Sequence, residues 1–124
     1  MIQLNYRDAK PIYEQIKDGF KNLLVTGAIE AGEKLPSVRE LASSLTINPN
    51  TIQRAYHDLE QEGYIYIQTG KGAYAADQKE TVLIRKEELF QDFDSVVLGL
   101  FDLSVESEML EERMKILGKG RKYS

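Results

Sequence analysis

The chain has 124 residues, 42% of them hydrophobic and 29% charged, which is the size of one domain with at most an appendage. Its apolar residues suffice for a core but are too interrupted for a membrane span of ~20 apolar residues. With no Cys, a single His (His57) and 16 Lys and Arg against 20 Asp and Glu, the composition excludes a disulfide framework and a thiolate metal site and gives no basis for a metal or other cofactor or for imidazole catalysis. Residues 1–77 and 78–124 each hold 8 basic against 10 acidic residues, so a surface for nucleic acid must arise from local clustering. The start, Met1 to Asp8, lacks the basic and apolar runs of a signal peptide, and a cytoplasmic protein is expected.

Pro11 opens a run with Ile12, Ile16, Phe20, Leu23 and Leu24 at helical spacing, closed by Gly27. Ser37-Val38-Arg39-Glu40 fits a capping box with Ser37 as N-cap, and Val38, Leu41, Ala42 and Leu45 supply the buried face of a short second helix. After a turn at Thr46-Ile47, Asn48-Pro49 restarts the chain as a third helix: the Asn side chain accepts from N–H groups left without partners, and Pro gives up an N–H that had none. That helix buries Ile52, Ala55, Tyr56 and Leu59 and stops at Gly63, leaving Asn50, Arg54, His57 and Gln61 on the opposite face. Tyr64 to Gln68 has β-forming residues with period two, Gly70-Lys71-Gly72 is a turn, and Ala73-Tyr74-Ala75 returns as the paired strand.

Near Ala76 to Lys79 the Gly-punctuated sequence gives way to an uninterrupted helical pattern, which places a boundary between residues 1–77 and 78–124. Leu89, Phe93, Val96, Leu100 and Leu103 alternate spacings of four and three, flanked by Phe90, Val97 and Phe101. This face is too broad to leave in water. It packs either on the chain's own first unit or on the same segment of a second chain, and the second is favoured because a two-fold dimer buries it. Leu89, Phe90, Phe93, Val96, Val97, Leu100 and Phe101 are therefore the candidate dimerisation residues. Ser104 and Ser107 are expected breaks before a second amphipathic segment with Met109, Leu110, Met114 and Leu117 and a basic tail from Gly118 to Lys122.

Two helices joined by a short turn, the second capped and polar outside, describe a helix-turn-helix whose second helix enters the major groove. Asn50 and Arg54 lie one turn apart near its start; Asn pairs bidentately with adenine and Arg with guanine, while Thr51 suits a phosphate or a thymine methyl. Taken alone, such residues describe an ordinary solvated helix face; the neighbouring elements favour readout. The tip Thr69-Gly70-Lys71-Gly72 lets backbone approach DNA with one cation at its end, as a wing does, although by itself it is also an ordinary turn. Lys34 and Arg39 flank the start of the second helix, so Lys34, Arg39, Arg54 and Lys71 are expected to converge into the basic patch that bulk charge hides. The candidate DNA contacts are Lys34, Ser37, Arg39, Asn48, Asn50, Thr51, Arg54, His57, Thr69, Gly70, Lys71 and Gly72, with His57 either incidental or a phosphate contact.

Pro11-Ile12-Tyr13-Glu14-Gln15-Ile16, Leu35-Pro36-Ser37-Val38-Arg39-Glu40-Leu41-Ala42, Asn48-Pro49-Asn50-Thr51-Ile52-Gln53-Arg54-Ala55-Tyr56 and Leu59-Glu60-Gln61-Glu62-Gly63, followed by the hairpin, together resemble the winged helix-turn-helix of GntR-family bacterial transcription regulators. The resemblance covers roughly residues 3–76, and the short remainder looks like the YtrA-type subfamily, with a small helical dimerisation segment. It implies that Arg39, the start of the recognition helix and the Gly-rich wing tip contact operator DNA. Most of the wider family has Arg where Pro49 and Gln53 stand, so their operator code does not transfer.

The expected fold is mainly α with a small β-hairpin, a winged helix-turn-helix (1–77) followed by a helical dimerisation segment (78–124). The expected function is a sequence-specific DNA-binding regulator, a repressor on an inverted-repeat operator, acting as a homodimer. No cofactor, membrane or small-molecule effector is expected. A protein-interaction adaptor built on a winged helix is the second reading, favoured by the acidic total charge. An enzyme ranks last: no nucleophile motif, paired carboxylates or metal-ligand spacing supports one, and Gly70-Lys71-Gly72 lacks the helix that a phosphate-binding loop must open.

Overall fold

A computed structural model describes residues 2–121; Lys122 of the expected basic tail lies outside them. The order is α1 (Ile12–Val25), α2 (Val38–Leu45), α3 (Pro49–Gln61), β1 (Ile65–Gln68), β2 (Gly72–Ala75), α4 (Gln78–Asp102) and α5 (Ser107–Lys119). Packing divides the chain into two compact units, residues 1–87 and 88–124. The change of pattern at Gln78 marks where α4 begins, whereas the packing unit runs further, because the first turns of α4 belong to the first core: Thr81 is fully buried and Ile84 packs against it.

Local chemistry accounts for the ends of the helices. Pro11, which opens the run in the sequence, stands at the N-cap of α1 and not inside its first turn, and its carbonyl accepts from the Glu14 and Gln15 N–H groups. Both halves of the capping box at α2 are made: Ser37 Oγ accepts from the Glu40 N–H at 3.0 Å, and Glu40 Oε1 accepts from the Ser37 N–H at 3.4 Å. Thr46 closes α2 in the left-handed region (φ 56°), and two residues later Asn48 Oδ1 accepts from the Asn50 N–H at 2.9 Å to start α3, with Pro49 as its first residue. At Gly63 the backbone is left-handed (φ 91°), so this helix stop uses glycine's backbone freedom, and Ile84 Cδ1 packs 2.9 Å from where a Cβ would stand.

Ile16, Phe20 and Leu24 of α1, Leu41 and Ala42 of α2, and Ile52, Ala55, Tyr56 and Leu59 of α3 form the core with Tyr64, Ile65, Ala73 and Ala75 of the hairpin region. Phe20 and Tyr56 meet edge to face at 5.6 Å. The strands pair antiparallel with Ile65 opposite Ala75 and Gln68 opposite Gly72. The expected alternation in β1 fails: Ile65 is buried but Ile67 is 44% exposed. Core burial comes instead from Tyr64, just before the strand and fully buried. The other edge of β2 receives residues 32–35: Leu35 N–H donates to Ala73 O at 2.8 Å and Ala75 N–H to Glu33 O at 2.9 Å, fastening the hairpin to the segment that leads into α2.

In the second unit, α4 ends at Asp102, Ser104 adopts φ 66° and Val105 N–H returns to Leu100 O. Of the two expected breaks, Ser104 lies in the reversal and Ser107 is already the first residue of α5.

Candidate nucleic-acid interface

Contacts on two sides hold α3 in place. Tyr56, buried on the inner face of α3, donates its hydroxyl to Pro36 O at 2.6 Å, tying the helix to the segment before α2. Burial, reinforced by the charge of Glu40, raises the Tyr56 phenol far above its ordinary range, so it stays a donor. On the side of α1, Lys17 pairs with Asp58 at 3.4 Å and with Glu62, while Lys21 reaches Glu62 at 2.8 Å. Burial alone would raise the Glu62 carboxyl, but the hydrogen bonds and charges of Lys17 and Lys21 outweigh it and hold that carboxyl below the usual range.

A cleft of about 310 Å³ lies where α2, α3 and the hairpin meet, lined by Ser37, Gln53, His57, Ile67 and Gly72 among others. Ile67 N–H donates to Glu60 Oε2 at 2.9 Å, joining β1 to α3. At the wing, Tyr66 and Tyr74 stack at 5.6 Å, Tyr74 donates its hydroxyl to Lys71 O at 3.3 Å, and Lys71 N–H closes the turn onto Gln68 O. Gly72 has φ 124°, and a Cβ there would come within 2.8 Å of Lys34 Cε. Lys34 therefore lies close against the wing backbone, at a position whose positive φ favours glycine.

The expected contacts fall into separate groups. Lys34 and Gly72 touch, with Lys71 next along the tip, and Thr69, Gly70 and Lys71 are exposed. Arg39 is exposed in the first turn of α2, and Asn50 and His57 are exposed along α3, with Thr51 partly covered. The oxygens of Ser37 and Asn48 are engaged in capping; the Ser hydroxyl proton and the Asn amide hydrogens remain as donors. Arg54 turns toward α1, where its guanidinium carbon stands 3.7 Å from the centroid of the Tyr13 ring. Two residues of this surface were not among the expected contacts. Gln53 lies three positions after Asn50 and four before His57, a spacing that puts it on the same helical face; Tyr13 left no such signal, because its partner is distant in sequence.

The family model "Bacterial regulatory proteins, gntR family" matches residues 12–74, from the start of α1 to the second strand of the hairpin. The HTH-type transcriptional repressor YtrA of Bacillus subtilis is 40% identical over 121 residues, spanning 93% of this chain and 90% of the relative. The chain belongs to the GntR family. As a GntR regulator it is a DNA-binding transcription regulator, and its near full-length match to YtrA makes it a YtrA-type member. A GntR family transcriptional regulator from Listeria monocytogenes superposes with TM-score 0.73 at 38% identity, covering 89% of this chain and 97% of the other, so winged unit and helical segment both have counterparts in one solved structure. The DNA-binding domain of AraR, solved in complex with operator ORR3, superposes with TM-score 0.53 at 28% identity over 60% of this GntR chain and 89% of its own. Among the described residues no group of three or more His, Cys, Asp or Glu is placed to hold a metal, and no helix is long and apolar enough to cross a membrane.

Proposed function

We propose that this GntR regulator is a cytoplasmic, sequence-specific repressor that occupies an inverted-repeat operator as a homodimer. The observation that carries the reading is the exposed face of α3, with Asn50, Gln53, Arg54 and His57 along it and the Lys34 and Lys71 wing beside its cleft. Such a set offers donors for base edges on the helix and cations for phosphate at its border. The repressor named YtrA and the AraR domain crystallised on an operator support the same assignment. Asn50, Thr51 and Arg54 are assigned to base edges. Lys34, Ser37, Arg39, Asn48, His57 and the tip Thr69 to Gly72 are assigned to the DNA backbone.

The dimer rests on the second unit. Among the described residues 88–121 none is buried, and Leu89, Phe90, Phe93, Val96 and Phe101 are exposed in a single chain, Phe90 and Val96 each by 62%. An amphipathic helix gains its stability by burying its apolar face, and a second copy of the same segment supplies the cover while presenting two recognition helices to a palindrome. This division of labour assigns DNA binding to the first unit, which takes in the start of α4 up to residue 87, and dimerisation to the segment after it, with no effector assigned to either.

Selection of fragments bound by the full chain from a random duplex pool tests the reading, followed by titration over a salt series. Enrichment of an inverted repeat, with affinity falling steeply as salt rises, is expected. Recovery of unenriched DNA, or of binding indifferent to salt, would favour the adaptor reading.

A further inference from the structure

Arg54 is exposed on α3, yet its guanidinium has a partner: its carbon stands over the Tyr13 ring, 3.7 Å from the centroid. Tyr13 is half-buried near the start of α1, packs against the core of the first unit, and donates its hydroxyl to Glu14 Oε1 at 3.2 Å. Among the described residues no carboxylate pairs with Arg54; the ion pairs that join α1 to α3 run through Lys17 and Lys21 instead. The type of partner matters. A carboxylate would occupy the forked N–H groups of the guanidinium, whereas an aromatic face attracts the cation through the ring quadrupole and leaves those in-plane N–H groups unspent. A long arginine side chain is thereby confined without losing the donor edge that base recognition needs.

We propose that Tyr13 is a specificity-determining positioning residue: the ring on α1 holds the Arg54 guanidinium so that its donor edge is set for the O6 and N7 acceptors of a guanine in the major groove. This rests on the operator-binding reading above and adds to it a residue of the first helix, outside the helix-turn-helix. Ordering Arg54 before DNA arrives removes part of the entropy that binding would otherwise cost, and only on duplexes that offer the matching base.

The test uses the full chain, the duplex that the wild-type protein enriches from a random pool, and a scrambled duplex of the same composition, read by fluorescence anisotropy. Tyr13→Phe, which keeps the ring, is expected to stay within about twofold of wild type on both. Tyr13→Leu, which fills space without a π face, is expected to lose about three- to tenfold on the enriched duplex and little on the scrambled one. Adding Tyr13→Leu to Arg54→Ala should cause no further loss. An equal loss on both duplexes, a loss that persists undiminished in the Arg54→Ala background, or unchanged or tighter binding of the enriched duplex by Tyr13→Leu would overturn the assignment. The last outcome would mean that the stack stows Arg54 away from the base. Arg54→Lys, an exposed change that leaves the core intact, gives an independent reading: a point charge neither stacks flat nor pairs bidentately, so the preference for the enriched duplex should fall as far as in Arg54→Ala. Retained preference would overturn the proposal even if Tyr13→Leu failed to fold. Should the wild-type chain enrich no sequence, the operator-binding reading itself falls; enrichment that is indifferent to Tyr13 removes the present inference alone.

Discussion

Arg54 and Lys71 carry the same charge in different settings, and in the function proposed above the first is assigned to base readout and the second to phosphate. Arg54 is ordered by an aromatic face beside the polar edge of α3, while Lys71 sits exposed at the wing tip between Gly70 and Gly72. Arg54→Ala is expected to cost about 1–3 kcal/mol on the preferred operator and much less on unrelated DNA, so the specificity ratio falls. Lys71→Ala should weaken both by a similar factor and reduce the magnitude of the log–log salt slope by about 1, since one phosphate contact and its released counterion are lost. Anisotropy titrations on cognate and scrambled duplexes across a salt series check both; a uniform loss for Arg54→Ala would make it a phosphate clamp and leave Asn50 and Gln53 as the readers.

Between elements, the contact most exposed to pH is the ionic clasp of α1 on α3. Glu62 has a folded-state carboxyl below its unfolded value, so its stabilisation is complete above the roughly pH 4.3 of an unfolded glutamate and is lost as pH falls through the folded value. Lys17 is shifted upward despite burial that opposes it, because Glu62 and Asp58 hold its charge; its stabilisation is lost only in alkali and adds nothing to the acid slope. Glu62→Gln is therefore expected to lower the melting temperature at neutral pH and to flatten its fall between about pH 5 and pH 3. A melting series by circular dichroism decides this: an unaltered acid slope would show that the clasp contributes nothing. None of these partners could be paired by reading the sequence, since Lys17 lies in α1 and Glu62 at the C-cap of α3. What was legible had local causes. Ser37 with Glu40, and Asn48 with Pro49, mark helix starts because capping joins residues two or three apart. The four buried positions of α3 follow from its own period. The burial of Thr81, the pairing of residues 33–35 with β2 and the Tyr13 stack depend on segments meeting across the unit, and a one-chain pattern holds no trace of them.

At the scale of the molecule, truncation is the test of where winged unit and helical segment divide. Gln78 donates its side-chain amide to Val25 O at 3.1 Å, Thr81 is fully buried and Ile84 covers Gly63. A chain ending at Ala76 loses all three, whereas one ending at Glu87 keeps them. Residues 1–87 are accordingly expected to melt as a cooperative monomer, and residues 1–76 to be less stable by about 2–4 kcal/mol, in the range of losing a large buried side chain. Sedimentation of the full chain at micromolar concentration should give a dimer, and either truncation a monomer that binds a half-site weakly for want of linkage. A dimer of residues 1–87, or a monomer of the full chain, would remove residues 88–121 from the interface.

The pairing of residues 32–35 with β2 also bears on how the unit assembles. α2, α3 and β1 all lie between the two partners in sequence, so this chord closes a long loop, and the entropy of closing it is repaid only when the intervening helices have packed. The amides of Gly32, Leu35 and Ala75, which donate across the chord at 2.8, 2.8 and 2.9 Å, should then open only when the whole unit does. Native-state hydrogen exchange is expected to give these three the same opening free energy as Ile52 and Leu59 in the core, with the same denaturant dependence. Faster exchange at the chord, insensitive to denaturant, would show instead a wing that detaches by itself and reaches DNA as a separately moving part.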